Sequence, residues 1–321
     1  MDRLIGWAGT KLKGISLNVD LLNGCILRCP SCGVGSIGRR KSAMMNIQTF
    51  REILDWVGKI RRVMLYVYSD ACMHPNLHLF VQECTDRGID VWISTMLQST
   101  RCDFEKVIEA KPTEFRISFP GWDHMGFYQP PAKTRLFNKK FKQVVRLPRY
   151  SETTWTMAFH LYRDNTAEVE TAKALAEDNG LKFVALPSIF MVGEKVVEKN
   201  YSEQDLELIS HLVETPEEAI ARIKKSDYCQ MWKQITLDAK GDIYLCQLLY
   251  EDRFRLGNFR DKVPFPNQNL SMSRKYAEHL IKTHPFCNKC TTSGMNVYQN
   301  CYSEFIKYDD PVGDAEKRRS K

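Results

Sequence analysis

The sequence has no apolar run long enough to cross a bilayer, which takes about 18 residues or more. It also lacks a small-residue cleavage site near its start, where MDRLIGWAGTKLKG sets charges beside a short apolar patch. Neither a membrane-spanning segment nor a secretory signal is therefore expected, and the chain is predicted to be cytoplasmic.

Cysteine, by contrast, is abundant, with 11 residues in a chain of 321. Disulfides are disfavoured in a reducing compartment, and the chain is far larger than a disulfide-stapled mini-domain. Cys72, Cys84 and Cys102 stand alone in helical or strand-flanking contexts, as expected of buried apolar thiols. Seven other cysteines fall into two groups with the spacing of metal ligands.

Basic residues outnumber acidic ones by 46 to 39, and part of this excess is concentrated between positions 133 and 149. That stretch holds seven basic residues and no acidic one. Two interpretations stay open, a solvated helix face or an attraction for a phosphate-bearing substrate or a nucleic acid.

Apolar periodicity predicts strands that alternate with helices over the first 187 residues. The predicted strands are 14–22, 63–68, 90–95, 114–119, 155–161 and 182–186. The predicted helices are 46–60, 77–87, 103–110, 133–147 and 167–179. Such alternation indicates parallel βαβ units. We therefore predict an α/β fold with a partial (β/α)6 barrel rather than the closed eight-unit form.

After Pro187 the pattern changes. Residues 203–225 are predicted to form a long charged helix, and residues 229–321 are irregular and contain cysteines. The chain is accordingly divided into a barrel domain over 1–215 and a small second domain with a C-terminal tail over 216–321.

The first cysteine group follows the first strand and reads C-x3-C-x2-C, at Cys25, Cys29 and Cys32. Three thiolates in one loop can hold three irons of a [4Fe–4S] cluster and leave the fourth iron open to a chelating cofactor. Structural zinc normally takes four protein ligands, and no fourth Cys or His stands beside this loop. The triplet therefore favours an iron–sulfur cluster over zinc.

This motif, in this position, resembles the defining motif of the radical S-adenosylmethionine (SAM) superfamily. The resemblance implies that the amino and carboxylate groups of SAM chelate the open iron. It further implies that one electron, delivered by a flavodoxin- or ferredoxin-type donor, cleaves SAM to a 5′-deoxyadenosyl radical. That radical would abstract a hydrogen atom from a substrate inside the barrel.

The resemblance also implies contacts to SAM. The Gly-Gly-Glu segment of the family is replaced by Tyr68-Ser69-Asp70, in which Asp70 would orient the ammonium group. Further positions of this kind lie near the ends of later strands, although Ser and Thr there are also ordinary turn formers. These positions are Ser94, Thr95, Ser118, Asn165 and Ala185, the last through its backbone.

The second cysteine group comprises Cys229, Cys246, Cys287 and Cys290, with a predicted strand–turn–strand hairpin between the first two. Four thiolates with a C-x2-C pair suit either a zinc ribbon or an iron–sulfur cluster. After a radical SAM barrel, the spacing resembles the auxiliary-cluster twitch and SPASM domains. Position 296 is Asn, so the extra SPASM cysteines are incomplete and the twitch type with one auxiliary [4Fe–4S] cluster fits better. Cys301 is left as a buried thiol or an additional ligand.

Catalytic groups are expected at the mouth of the barrel, where the segment Trp122-Asp123-His124 directly follows the fourth strand. His160 on the fifth strand is a second candidate base, or else a satisfied core histidine.

The leading functional hypothesis is oxidation or rearrangement of a small polar metabolite such as a sugar, aminocyclitol or nucleotide, in a biosynthetic pathway. Alternatives are radical modification of a ribosomally made peptide or of a nucleic-acid base. A non-enzymatic electron carrier or zinc-stabilised binding protein is a further alternative, but an open-iron triplet serves neither.

Overall fold

The computed structural model describes residues 15–29, 31–38, 41–127, 134–218, 234–244, 246–261, 283 and 286–287. Five residues discussed above lie outside this part of the chain: Lys133, Cys229, Cys290, Asn296 and Cys301.

Strands and helices alternate over the first two thirds of the chain, as the periodicity predicts. The strands are β1 Ile15–Val19, β2 Ile60–Met64, β3 Asp90–Thr95, β4 Glu114–Phe119, β5 Thr154–Leu161, β6 Lys182–Pro187, β7 Gln234–Leu237, β8 Asp242–Tyr244 and β9 Arg255–Asn258. The α-helices are α1 Gly33–Ser36, α2 Ile47–Val57, α3 Leu77–Asp86, α4 Phe104–Glu109, α5 Thr134–Val144, α6 Val169–Asp178, α7 Gly193–Glu198 and α8 Glu203–His211. Short 3-10 helices cover Ala71–Met73, Asp123–Phe127, Thr166–Glu168, Asp252–Phe254 and Phe259–Asp261.

The strands form one sheet in the order β6-β5-β4-β3-β2-β1-β7-β8-β9. Strands β1 to β6 are parallel to their neighbours, as βαβ crossovers require. This arrangement confirms the predicted α/β fold with a partial six-stranded barrel.

The two faces of the sheet differ in polarity because side chains along a strand alternate in direction. In β4, Phe115, Ile117 and Phe119 are fully buried. Phe119 stacks on Phe137 of α5 with ring centroids 4.8 Å apart, so this face packs on the helices. The alternate residues of β4 are polar and occupy the inner face: Glu114, Arg116 and Ser118. The sheet thus has an apolar helix side and a polar barrel interior.

The second strand begins and ends earlier than the predicted range 63–68. The reason is the buried carboxylate of Asp20, which accepts hydrogen bonds from the backbone N–H groups of Val67, Tyr68 and Ser69. Those groups are therefore unavailable for strand pairing, and the segment forms a loop.

The helix predicted over 203–225 ends at His211. The next residue, Leu212, forms an isolated β-bridge with Tyr162, and this pairing takes the backbone out of the helical conformation. Residues 216–218 are helical again, and residues 219–225 lie outside the described part of the chain, so a contact distant in sequence interrupts the predicted helix after His211.

Strands β7 to β9 join the barrel sheet, with β7 parallel to β1 and the β7–β8 hairpin antiparallel as predicted. The division of the chain at residue 215 stays a prediction. Among the described residues, no helix combines the length and apolar character needed to cross a membrane.

Candidate active site

The cysteine triplet occupies the loop between β1 and α1. The loop closes through hydrogen bonds from the Cys32 N–H to the Cys29 carbonyl (2.9 Å) and from the Gly35 N–H to the Cys32 carbonyl (3.0 Å). A Cβ at Gly35 would lie 2.0 Å from the Cys29 carbonyl oxygen, so only glycine permits this turn. The local sequence thus sets the fold of the loop that carries all three thiols.

The three thiols of this loop lie close enough to affect the pKa values of Cys29 and Cys32 through their charges. Burial raises the pKa of Cys25 to about 11 and that of Cys32 to about 12. The pKa of Cys29 is also raised, first by burial and then by the charges of Cys32 and Cys25. Three thiolates this close need a bound cation to offset their repulsion, and an iron–sulfur cluster supplies that charge. The donor set therefore fits the [4Fe–4S] cluster expected from the sequence.

Asp70 lies beside this loop, and its charge adds to the shift that burial produces at Cys25. Its carboxylate is held from three sides. Oδ1 accepts from the Cys72 N–H (2.9 Å), and Oδ2 accepts from Thr95 Oγ1 (2.9 Å) and the Met96 N–H (3.0 Å). Burial raises the pKa of Asp70. The structure thus brings Asp70 and Thr95 together beside the cysteine loop.

The sequence analysis missed Asp20, at the end of β1. Burial raises its pKa to about 6, although four hydrogen bonds from Val67, Tyr68 and Ser69 oppose that shift. Asp20 joins the loop after β2 to the strand that leads into the triplet. Its signal in the sequence is an acidic residue inside the apolar run of positions 14–22.

Ser94 and Ser118 meet on the inner face of the barrel, with their hydroxyl oxygens 2.8 Å apart. Ala185 packs with its side chain in the core, as expected of a residue proposed to act through its backbone. Asn165 is buried, and its side-chain amide forms hydrogen bonds with backbone groups of the protein. It accepts from the Tyr162 N–H and donates to the carbonyls of Pro120 and His160. Its amide therefore joins the ends of β4 and β5.

The four predicted catalytic residues divide into separate environments. The Trp122 ring packs edge-on against Phe119 and belongs to the helix side of the sheet. Asp123 is exposed. His124 is buried and lies 2.8 Å from a carboxylate oxygen of Asp164. The structure therefore gathers only one of the three residues of this segment into a polar cluster.

His160 occupies the barrel interior instead. Burial, together with the charge of Arg116, lowers its pKa to about 4. Arg116 in turn donates two hydrogen bonds to Glu114 Oε1, at 3.0 and 2.8 Å. Sequence reasoning missed this Arg–Glu pair, whose only signal was a polar alternation within β4. His160 is neutral at neutral pH and can accept a proton only in acid.

The second cysteine group is described at Cys246 and Cys287. Cys246 begins a loop that packs on the first cysteine loop, since a Cβ at Gly33 would lie 2.4 Å from the Tyr250 ring. Tyr68 contributes too, because its hydroxyl donates to the Gln247 carbonyl and its ring meets Tyr250 edge-on at 4.5 Å. Two of the predicted metal-ligand segments are thus in direct contact.

No protein-family model matches the chain, and no curated protein matches it by sequence. Among solved structures, it is similar to native anSMEcpe with bound AdoMet, with a TM-score of 0.58 and 13% identity over 95% of this chain and 100% of that chain. It is also similar to Streptococcus suis SuiB bound to the precursor peptide SuiA, with a TM-score of 0.55 and 11% identity over 93% of this chain and 74% of that chain.

Both neighbours are radical SAM enzymes, and the likeness extends over nearly all of this chain. At these identities a likeness shows the fold. The chain therefore has the radical SAM fold, with its cysteine triplet in the loop after the first barrel strand.

Proposed function

We propose that this chain is a radical SAM enzyme. The observation that carries the proposal is the loop of Cys25, Cys29 and Cys32, three neighbouring buried or half-buried thiols after the first strand of a radical SAM fold. A cluster bound there, with SAM, would supply a 5′-deoxyadenosyl radical able to remove a hydrogen atom from a substrate.

The hydrogen bonding of residues around the triplet supports a role for them in binding and orienting SAM. Asp70 presents a carboxylate whose direction is set by Thr95, the Met96 N–H and the Cys72 N–H. Such a group suits the ammonium of an amino acid. The hydroxyls of Ser94 and Ser118, on the inner face nearby, suit the polar ribose and carboxylate.

The inner face of the barrel favours a small polar substrate. It holds the Arg116–Glu114 pair and neutral His160, and burial raises the pKa of Tyr66 beside them. Desolvated polar groups of this kind bind a ligand through hydrogen bonds rather than through apolar contact. A sugar, aminocyclitol or nucleotide fits this description, and either oxidation or rearrangement would use the same hydrogen abstraction.

A second candidate is modification of a ribosomally made peptide. It is supported by the likeness to SuiB, whose structure holds its precursor peptide. The two candidates differ in the substrate that must reach the barrel mouth. Deuterated sugars and a deuterated peptide library, each incubated anaerobically with SAM and reductant, separate them by which one transfers label to 5′-deoxyadenosine.

We further propose that Cys229, Cys246, Cys287 and Cys290 hold an auxiliary [4Fe–4S] cluster. The contact of the Cys246 loop with the first cysteine loop supports this, because an electron taken from the substrate region would have a short path between the two centres.

Anaerobic reconstitution tests the proposal. We expect about eight irons per chain, four in each of two clusters, and 5′-deoxyadenosine that forms only with reductant. Cys29→Ala should abolish 5′-deoxyadenosine formation, whereas Cys84→Ala, a buried cysteine of α3, should retain it. Zinc in place of iron in the wild-type chain, or product from Cys29→Ala, would refute the proposal.

A further inference from the structure

A cluster of possible metal ligands lies on the segments after β4 and β5 and at the end of α8, and β4 is three strands away from β1 and its cysteine loop. Its members are His124, Asp164 and His211, whose ligand atoms all lie within 4.8 Å of one another. His124 Nε2 is 2.8 Å from Asp164 Oδ1, and His211 Nδ1 is 2.8 Å from Asp164 Oδ2. We propose that these three residues bind one Zn²⁺ ion, a site that is independent of the iron–sulfur chemistry.

The ligand chemistry supports zinc. Two imidazoles and one carboxylate are the donor set of open zinc sites, in which water or another oxygen takes the fourth position. A hard cation such as Mg²⁺ would require oxygen ligands instead. Since Asp164 carries the only formal charge in the set, the bound site would keep a net positive charge able to polarise an oxygen ligand.

The backbone fixes the position of His124. The N–H groups of Trp122 and Asp123, immediately before it, donate to the carboxylate of Glu168 at 2.6 and 3.3 Å. The His124 ring then stacks on Tyr162, with centroids 4.6 Å apart and planes inclined by 9°. The imidazole is therefore held in one orientation, as a metal ligand requires.

Asp164 and His211 are fixed by backbone contacts of their own. The amide of Asn165, next to Asp164, bonds to three backbone groups at the ends of β4 and β5. The Arg163 N–H donates to the His211 carbonyl at 2.9 Å, which holds the end of α8 against this loop. Three segments distant in sequence are thus preorganised around one point, and an ion there would gain affinity from that rigidity.

The site is also open to solution. The His124 side chain is 4% exposed, whereas that of His211 is 30% exposed and that of Asp164 46% exposed. An ion can therefore enter from the Asp164 side and keep a water ligand there. The competing interpretation is a hydrogen-bonded His–Asp–His relay without an ion, and it predicts no selective zinc binding.

Zinc binding to the reconstituted holoprotein distinguishes these interpretations. After incubation with Zn²⁺ and desalting, we expect about one zinc per chain beyond the irons. His211→Gln should weaken zinc binding at least tenfold. The matched control is His78→Gln, the same substitution on α3, which should leave it unchanged.

Zinc K-edge absorption spectroscopy excludes adventitious binding at cysteines. The proposal requires a shell of nitrogen and oxygen at about 2.0–2.2 Å with no sulfur at about 2.3 Å. Sulfur in the shell, or equal zinc retention by His211→Gln and wild type, would overturn it. Cys29→Ala should retain the zinc at this site. The zinc result can therefore be interpreted even if the radical SAM assignment fails.

Discussion

Single residues set the geometry of the barrel mouth through carboxylates and amides that bond to backbone groups. Asp20 holds the loop after β2, Glu168 holds the segment before His124, and Asn165 joins the ends of β4 and β5. None of the three has to touch a substrate to matter. Asp20 and Asn165 satisfy backbone groups that would otherwise be buried without partners, which is costly.

Gly121 lies where these contacts converge, with a φ of +91°. A Cβ there would lie 2.8 Å from Glu168 Oε2 and 3.0 Å from Asn165 Nδ2. We expect Gly121→Ala to lower the free energy of unfolding by about 2–3 kcal/mol, because the strain of a positive φ adds to these close contacts. Urea denaturation of wild type and variant measures the loss.

The control for this prediction is Gly180→Ala. Gly180 also has a positive φ, +65°, but a Cβ there meets no atom within 4 Å. It should cost about 1 kcal/mol, from backbone conformation alone. Equal losses in the two variants would show that the contacts of Gly121 contribute nothing.

At the scale of elements, α5 presents a basic face to solvent. Arg135, Lys139 and Lys142 are exposed, and among the described residues none of them pairs with a carboxylate. Arg149 differs, because it stacks 3.9 Å over the Trp155 ring and donates to two backbone carbonyls. The basic segment therefore divides into an unpaired helix face and a structural arginine.

An unpaired basic face predicts salt-dependent binding of a polyanion. We expect affinity for a single-stranded oligonucleotide to fall as salt rises. Lys139→Gln combined with Lys142→Gln should reduce the slope of log K against log salt by about 1.4, or about 0.7 for each phosphate that the helix no longer neutralises. Fluorescence anisotropy over a salt series measures the slope.

Lys106 and Lys111 provide the matched control, since both are paired with carboxylates, Asp103 and Glu152. Changing both to Gln removes the same charge, and it should leave the slope as in wild type. The interpretation of α5 as a nucleic-acid contact fails if both double variants behave alike, or if binding does not respond to salt.

At the scale of the whole molecule, the two cysteine segments belong to one packed unit. Strand β7 pairs with β1, the Tyr250 ring fills the space above Gly33, and buried Glu194 of α7 accepts hydrogen bonds from the Tyr250 and Glu251 N–H groups. The folded chain would therefore hold iron at the first loop more tightly than the unfolded chain. Such binding stabilises the native state by mass action.

Removal of iron should therefore lower the melting temperature by several degrees, since occupancy at 100 times the dissociation constant contributes about 2.7 kcal/mol. Anaerobic calorimetry before and after chelation measures the shift. Cys29→Ala should show a smaller shift than wild type because it loses the first cluster, whereas Cys84→Ala should show the full shift. A wild-type melting temperature unaffected by chelation would mean that the thiols hold no iron.

Local pattern was sufficient to predict much of this molecule. Strands β3 and β4 fall where apolar alternation places them, Asp103 caps α4 as its position indicates, and the β7–β8 hairpin forms around the Gly241 turn. The cysteine triplet was equally readable, because all three ligands lie in one short loop. In each case the signal comes from residues close together in the chain, even where the strands then pair with distant ones.

Other features depended on contacts between residues far apart in the chain. Asp20 ends β2 from 47 residues away, the Tyr162–Leu212 bridge limits α8, and Tyr250 contacts the first cysteine loop from the segment after β8. The cluster of His124, Asp164 and His211 likewise draws on three segments that share no local pattern. The spacing of residues along a chain specifies turns and the apolar faces of helices and strands. Only the folded backbone brings side chains from distant segments within bonding distance.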